Sequence, residues 1–306
     1  MNDAGVVPQE DVQPDLLAVR APPTADLADS PPAHYDPPYS RHRGTPRETS
    51  VAVRGKKVDG PIQWTTLGSA PYPTADEACS GYLLQGGGAN VLVDVGGGTL
   101  GPLQRLIALE DLHAVWVSHL HADHFADMPL LYYAFAYSER PMRKIPVLAP
   151  PGWAARVEDF VKSAVDHHMS SVFQVVELKD RGIAEIGDLR IQARCVEHGV
   201  PAFGLAARLG DHRLAYSGDS GPCDNLVTLA KGARVLVAEV GTDVIEIPSV
   251  HLSPEDAGLT AQHAGVARLV LTHLAPGLLP EEAVERAAQA FHGAIEVATP
   301  GSVFEA

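Results

Sequence analysis

Residues 115 to 124 read Val115-Trp116-Val117-Ser118-His119-Leu120-His121-Ala122-Asp123-His124, an apolar run that ends abruptly in three histidines and an aspartate. The run has the length and β-branched content of a buried strand, and core packing gives no reason for the polar cluster after it. Metal ligation does. In extended backbone the side chains alternate with period two, so His119 and His121 point the same way and both imidazoles can reach one ion. Asp123 and His124 then open the amphipathic segment 125–136, whose turn aims them at a second ion.

Composition bounds the rest. A chain of 306 residues with 45% hydrophobic content can bury a substantial core. No apolar run reaches the ~18 residues of a membrane span, and Met1-Asn2-Asp3-Ala4-Gly5 lacks the basic-then-apolar pattern of a secretory signal, so a cytoplasmic protein without a membrane partner is expected. Cys79, Cys195 and Cys223 are odd in number, far apart and without Cys-x-x-Cys spacing, which fits a reducing compartment. The net charge of -15 opposes binding to a long phosphate backbone. A small anionic substrate stays open, because two divalent ions leave a locally positive pocket.

Residues 1–58 carry Pro22-Pro23, Pro31-Pro32 and Pro37-Pro38 without sustained periodicity, and are expected to be a disordered tail with Arg41-His42-Arg43 as solvated linker. A single catalytic domain then covers 59–306. Strands are expected at 62–67, in a hairpin of 81–84 with 90–94, and at 114–118, 145–149, 172–178, 189–196, 214–217, 235–240 and 269–274. Helices are expected at 101–109, from Phe125 to about 137, and at 280–291. Gly96-Gly97-Gly98 reads as a tight turn, and Asp94 before it as support for the ligands from behind. Neighbouring His167 and His168 diverge by ~100° on a helix and read as surface residues.

The same rhythm recurs downstream. His198 follows the strand 189–196, and Asp219 lies in Ser217-Gly218-Asp219-Ser220-Gly221, where glycines let the backbone turn and one carboxylate offers two oxygens. Glu239 belongs to the strand 235–240. His251 precedes Ser253-Pro254-Glu255-Asp256, a helix start with its cap, proline and acidic first turn. His273 closes the strand 269–274. Strands ending in His or Asp are expected to set these residues along one rim of a sheet.

His-x-His-x-Asp-His after an apolar strand resembles the signature of the metallo-β-lactamase superfamily. The resemblance implies an α/β fold, a four-layer αββα sandwich with its site along one edge. For the two-metal branch it implies that His119, His121 and His198 bind one ion, that Asp123, His124 and His273 bind the other, and that Asp219 bridges them. All seven positions are filled, in chain order. Nitrogen and oxygen ligands without thiolate suit Zn²⁺, with Mn²⁺ or Fe as alternatives.

Two ions ~3.5–4 Å apart can generate hydroxide at neutral pH and clamp the attacking and leaving oxygens of an in-line displacement. That suits a phosphodiester, although an amide, thioester or lactone could also be cleaved. His251 falls where the tRNA 3′-processing nucleases and related phosphodiesterases keep a histidine that assists the leaving group. The resemblance therefore implies that His251 is the general acid and Glu239 orients it, while Asp123 steers the attacking hydroxide. The family's His-Glu-Ala-Thr is here Ala238-Glu239-Val240-Gly241.

The tRNA nucleases also carry a Gly-rich, basic arm, and between His124 and His198 only Arg140, Arg143 and Lys144 form a basic cluster. Ala78-Cys79-Ser80-Gly81-Tyr82-Leu83-Leu84, Gly96-Gly97-Gly98-Thr99-Leu100-Gly101, Ser118 to His124, Ala215 to Asp224 and His251-Leu252-Ser253 more closely resemble the branch described as atypical cyclic-nucleotide phosphodiesterases. That resemblance implies hydrolysis of 3′,5′-cyclic AMP or a related cyclic nucleotide to the 5′-monophosphate. The competing expectations are a tRNA 3′-end endonuclease, a lactone or thioester hydrolase, and an idle metal-binding module whose tail recruits partners. The expected partner is a small phosphodiester, and a homodimer is compatible with the chain.

Overall fold

A computed structural model describes residues 52–53, 60–139, 142–161, 169–245 and 249–306. Arg41-His42-Arg43, Arg140, His167, His168 and nearly all of the expected tail lie outside the described residues.

In chain order the first strands are β1 (Ala52–Val53), β2 (Gln63–Gly68), β3 (Gly81–Gly86), β4 (Ala89–Val95), β5 (Ala114–Trp116), β6 (Ile145–Ala149) and β7 (Phe173–Glu177). There follow β8 (Ile183–Ile186), β9 (Leu189–Val196), β10 (Ala202–Leu209), β11 (His212–Tyr216), β12 (Val235–Val240), β13 (Arg268–Leu274), β14 (Ala294–Val297) and β15 (Val303–Glu305). Helices α1 (Leu100–Leu106), α2 (Ala122–Phe125), α3 (Met128–Ala136), α4 (Trp153–Val161) and α5 (Met169–Val172) belong to the first half. The second half holds α6 (Asp224–Ala230), α7 (Pro254–Ala264) and α8 (Pro280–Ala287).

The strands form two sheets of the same design. One runs β15-β2-β3-β4-β5-β6-β7, antiparallel as far as β4 and parallel beyond it. The other runs β1-β8-β9-β10-β11-β12-β13-β14, antiparallel from β8 to β11 and parallel from β11 to β14. Parallel strands flanked on both sides and covered on both faces lose the polar alternation of a half-exposed strand. Hence Val115-Trp116 and Val235-Leu236-Val237-Ala238 read as unbroken apolar runs, and all are buried.

Trp64, Tyr82, Leu205, Tyr216 and Val237 meet between the sheets, with the Trp64 ring 4.8 Å from Tyr82 and 5.2 Å from Tyr216. The outer face of the eight-stranded sheet is covered by α6, α7 and α8 through Leu226, Ala257, Ala261 and Ala287. Leu103, Leu131, Trp153 and Val157 seal the other sheet against α1, α3 and α4. The layers are αββα, as the family resemblance implied.

Several expectations change in detail. Ala52–Val53, inside the stretch expected to be tail, pairs in parallel with β8 at the sheet edge. The long helix expected from Phe125 is two helices broken at Ala126 and Asp127. Asp127 Oδ2 accepts the Gly98 and Leu100 amides at 3.0 and 3.2 Å, so it serves the start of α1. No helix among the described residues is long and apolar enough to cross a membrane. All three cysteines are free, and burial pushes the Cys79 thiol up to about 11 and Cys195 up to about 12.

Candidate metal centre

The chain leaves β5 still extended. Val117 donates its amide to Leu148 of β6 at 2.8 Å, and Ser118 accepts the Phe203 amide of β10 at 3.0 Å, so here the two sheets are joined. His119 and His121 follow on the same side. His119 Nε2 lies 3.1 Å from His121 Nδ1, which lies 3.1 Å from His198 Nε2. The short helix α2 then delivers Asp123 and His124. The single rim expected for the ligands is corrected: His119 to His124 come from the seven-stranded sheet, whereas His198, Asp219 and His273 come from β9, β11 and β13 of the other. The centre lies where the ends of the two sheets meet, because ligand strands sit in both.

Three overlapping groups could each hold a cation: His119 with His121 and His198, Asp123 with His124, Asp219 and His273, and His198 with Asp219 and His251; the first two are the ligand sets expected from the sequence. Asp219 reaches both. Its Oδ2 is 3.7 Å from His119 Nε2 and 3.6 Å from His273 Nε2, and its Oδ1 is 3.2 Å from His124 Nε2. Gly218 makes this turn at φ 60, and a Cβ there would stand 3.1 Å from the Phe203 carbonyl and from Ser118 Cβ. All seven predicted ligands are therefore brought together.

The donor set fits metal on grounds of its own. His124 Nε2 and Asp219 Oδ1 are buried, face each other and have no hydrogen-bond partner. Such groups are costly to bury unpaired, and a divalent cation satisfies both at once. Burial holds His119, His198 and His273 below the ordinary imidazole value, which leaves their lone pairs free for a metal. Burial works against the charge on Asp219, yet His124, His273 and His119 around it keep its carboxyl well below the usual range.

Behind the ligands stands a second set of partners. Asp94 Oδ2 accepts from His124 Nδ1 at 2.8 Å, from Tyr216 Oη at 2.8 Å and from Ser118 Oγ at 2.9 Å, while Oδ1 takes the Ser118 amide at 2.7 Å. The supporting role expected of Asp94 is thus matched by its contacts. His198 Nδ1 donates to the Val250 carbonyl at 2.8 Å, and His273 Nδ1 meets Ser80 Oγ at 3.0 Å. Each bond points the other ring nitrogen inward. Asp94 and His273 hold φ of 55 and 50, a left-handed strain of about 1–3 kcal/mol each for residues with a Cβ. Sequence reasoning missed Tyr216, Ser118 and Ser80. Tyr216 left one signal, a hydroxyl in an apolar core strand that must find a partner.

Beside the two groups lies a pair. His251 Nδ1 is 2.9 Å from Glu239 Oε1, whose carboxylate also accepts the amides of Ser220 and Gly241. His251 is half-buried and 3.9 Å from Asp219 Oδ2. Burial pushes Glu239 up to about 7, against the His251 hydrogen bond and with help from Asp219.

The family described as the beta-lactamase superfamily domain matches residues 89–274. An uncharacterized protein of Mycobacterium tuberculosis is 36% identical over 255 residues, 80% of this chain and 92% of the relative. Ribonuclease Z of Mycolicibacterium gilvum is 32% identical over 249 residues, 72% of this chain and 86% of that protein. Probable metallo-hydrolase YhfI of Bacillus subtilis is 30% identical over 237 residues, 76% of this chain and 95% of YhfI. Its crystal structure, of a metallo-beta-lactamase fold protein, superposes with a TM-score of 0.71 at 28% identity, over 81% of this chain and all of that one. With both sheets, the ligand order and these relatives in agreement, the chain belongs to the beta-lactamase superfamily, as a metallo-hydrolase of its ribonuclease Z-like branch.

Proposed function

We propose that this metallo-hydrolase is a cytoplasmic, dinuclear metal-dependent phosphodiesterase that hydrolyses 3′,5′-cyclic nucleotides, cyclic AMP among them. The observation that carries the reading is the His251–Glu239 pair, 2.9 Å apart and set beside both metal-binding groups. A phosphodiester expels an alkoxide, which needs a proton, and a half-buried imidazole backed by a carboxylate can supply one.

His119, His121 and His198 would hold one divalent ion, and Asp123, His124 and His273 the other, with Asp219 between them. Zn²⁺ is preferred by the nitrogen and oxygen donors. Such ions supply Lewis-acid polarisation of the phosphoryl oxygens and lower the pKa of water. The protein's own residues do the rest. Glu239 keeps the Nδ1 proton on His251, so that Nε2 carries the transferable one. Asp123, half-buried, orients the attacking water.

Charge favours a small substrate. Arg143 and Lys144, the described members of the basic cluster after the motif, donate to the backbone carbonyls of Leu112 and Ser170. With a net charge of -15, that leaves little to grip a long polyanion. The second reading, a tRNA 3′-end endonuclease, is supported by the Ribonuclease Z relative at 32% identity. Incubating the metal-loaded protein with cyclic AMP, a precursor tRNA and a thioester, each with and without chelator, separates the readings. Chelator-sensitive formation of AMP is expected; turnover of the tRNA or the thioester alone would overturn the proposal.

A further inference from the structure

His198 and His273 are each steadied from behind by a partner of their own, but a single hydroxyl stands behind two ligands. Ser118 Oγ lies 2.9 Å from Asp94 Oδ2, 3.1 Å from His119 Nδ1 and 3.4 Å from His124 Nδ1. The Asp94 carboxylate can only accept, so the Ser118 proton goes to it, and the hydroxyl oxygen is left to accept from His119 Nδ1. The same Asp94 oxygen receives His124 Nδ1 at 2.8 Å. His119 belongs to one ligand group and His124 to the other. Ser118, Asp94, His119 and His124 are all fully buried, so water has no route to replace a lost bond.

We propose that Ser118 is a positioning residue that couples the two metal groups, fixing His119 directly and His124 through Asp94. This rests on the two-metal reading of the centre. The other supports differ in reach. Ser80 meets His273 alone, and the Val250 carbonyl meets His198 alone, so each serves one group. Ser118 also joins the sheets, since its carbonyl takes the Phe203 amide while its side chain orients the histidines. That backbone bond survives substitution of the side chain, so the variant isolates the hydroxyl.

The test is a Co²⁺ titration of metal-free wild type, Ser118→Ala and Ser80→Ala, with visible absorption and competing chelators resolving the two binding steps. Loss of a partner behind a metal-ligating histidine typically weakens binding by about 10- to 100-fold. Ser118→Ala is expected to weaken both steps by that order, and Ser80→Ala only one. A general loss of stability would lower the melting temperature of metal-free protein without splitting the two serines in this way. If Ser118→Ala does not fold, Ser118→Cys, close in volume but a weak donor, carries the same expectation. A folded Ser118 variant in which either step keeps its wild-type affinity overturns the coupling. Wild-type protein that takes up no Co²⁺ overturns the metal reading instead.

Discussion

Gly241 sits against both partners of the His251–Glu239 pair: a Cβ built on it would fall 2.5 Å from His251 Nδ1 and 2.8 Å from Glu239 Oε2. The absence of a side chain there is what lets the imidazole approach the carboxylate. Gly241 also donates its amide to Glu239, so one residue both clears the space and steadies the carboxylate.

Replacing Gly241 with alanine should therefore separate the pair without touching a metal ligand. Misplacement of a reacting group by about 1 Å can cost about 10²-fold in rate, and a loss of up to that size is expected with metal content unchanged. Steady-state kinetics beside elemental analysis checks it. A fully active Gly241→Ala enzyme would show that the pair has no catalytic part.

His251→Ala should lose about 10²- to 10⁴-fold in kcat, the usual contribution of a general acid. Both ions should remain, because the seven proposed ligands are intact. A substrate whose leaving group needs no proton, such as a nitrophenolate ester, should lose much less than cyclic AMP.

Glu239→Gln should move the pH profile in a defined direction. Burial opposes charge on His251, yet the hydrogen bond and charge of Glu239 outweigh it and hold the imidazole above its ordinary value. A general acid works while protonated, so activity falls as pH rises through that value. Removing the carboxylate's charge lowers it, and the basic limb of kcat/KM against pH should shift towards acid. A limb that stays in place contradicts the assignment.

A pH effect on stability is expected far from the centre. Arg286 of α8 grips Glu255 of α7 with two bonds of 2.8 and 3.0 Å, and the guanidinium holds the Glu255 carboxyl below its ordinary value of 4.5. A lowered folded-state value means that the contribution is present above the ordinary value and is lost as pH falls through the folded one. The pair is partly exposed, so Glu255→Gln should cost at most about 1 kcal/mol at pH 7. Urea unfolding should show that difference shrink as pH falls below 4.5.

How much of this was legible in the sequence depended on whether a residue's purpose was local. His119, His121, Asp123 and His124 announce themselves, because four polar residues at the end of a buried strand have no other local reason. His198, Asp219 and His273 were legible by the same logic, each at the end of an apolar strand. β10 was not: Ala202-Phe203-Gly204-Leu205-Ala206-Ala207 is buried throughout, and its alanines and glycine lack the β-branched residues that mark the other apolar strands. The break after Phe125 was also hidden, since Asp127 leaves the helix to serve amides some 30 residues earlier in the chain. The contact from Tyr216 to Asp94 spans 122 residues and joins two sheets, and no spacing rule reaches that far.

On the proposed reading, seven side chains from two sheets hold a pair of divalent ions on which hydrolysis depends. Elemental analysis of active protein by mass spectrometry tests it most directly. Two divalent ions per chain are expected, lost together with activity on chelation, with a marked deficit in Asp219→Ala, whose carboxylate reaches both groups. Active protein that carries no bound metal would contradict it.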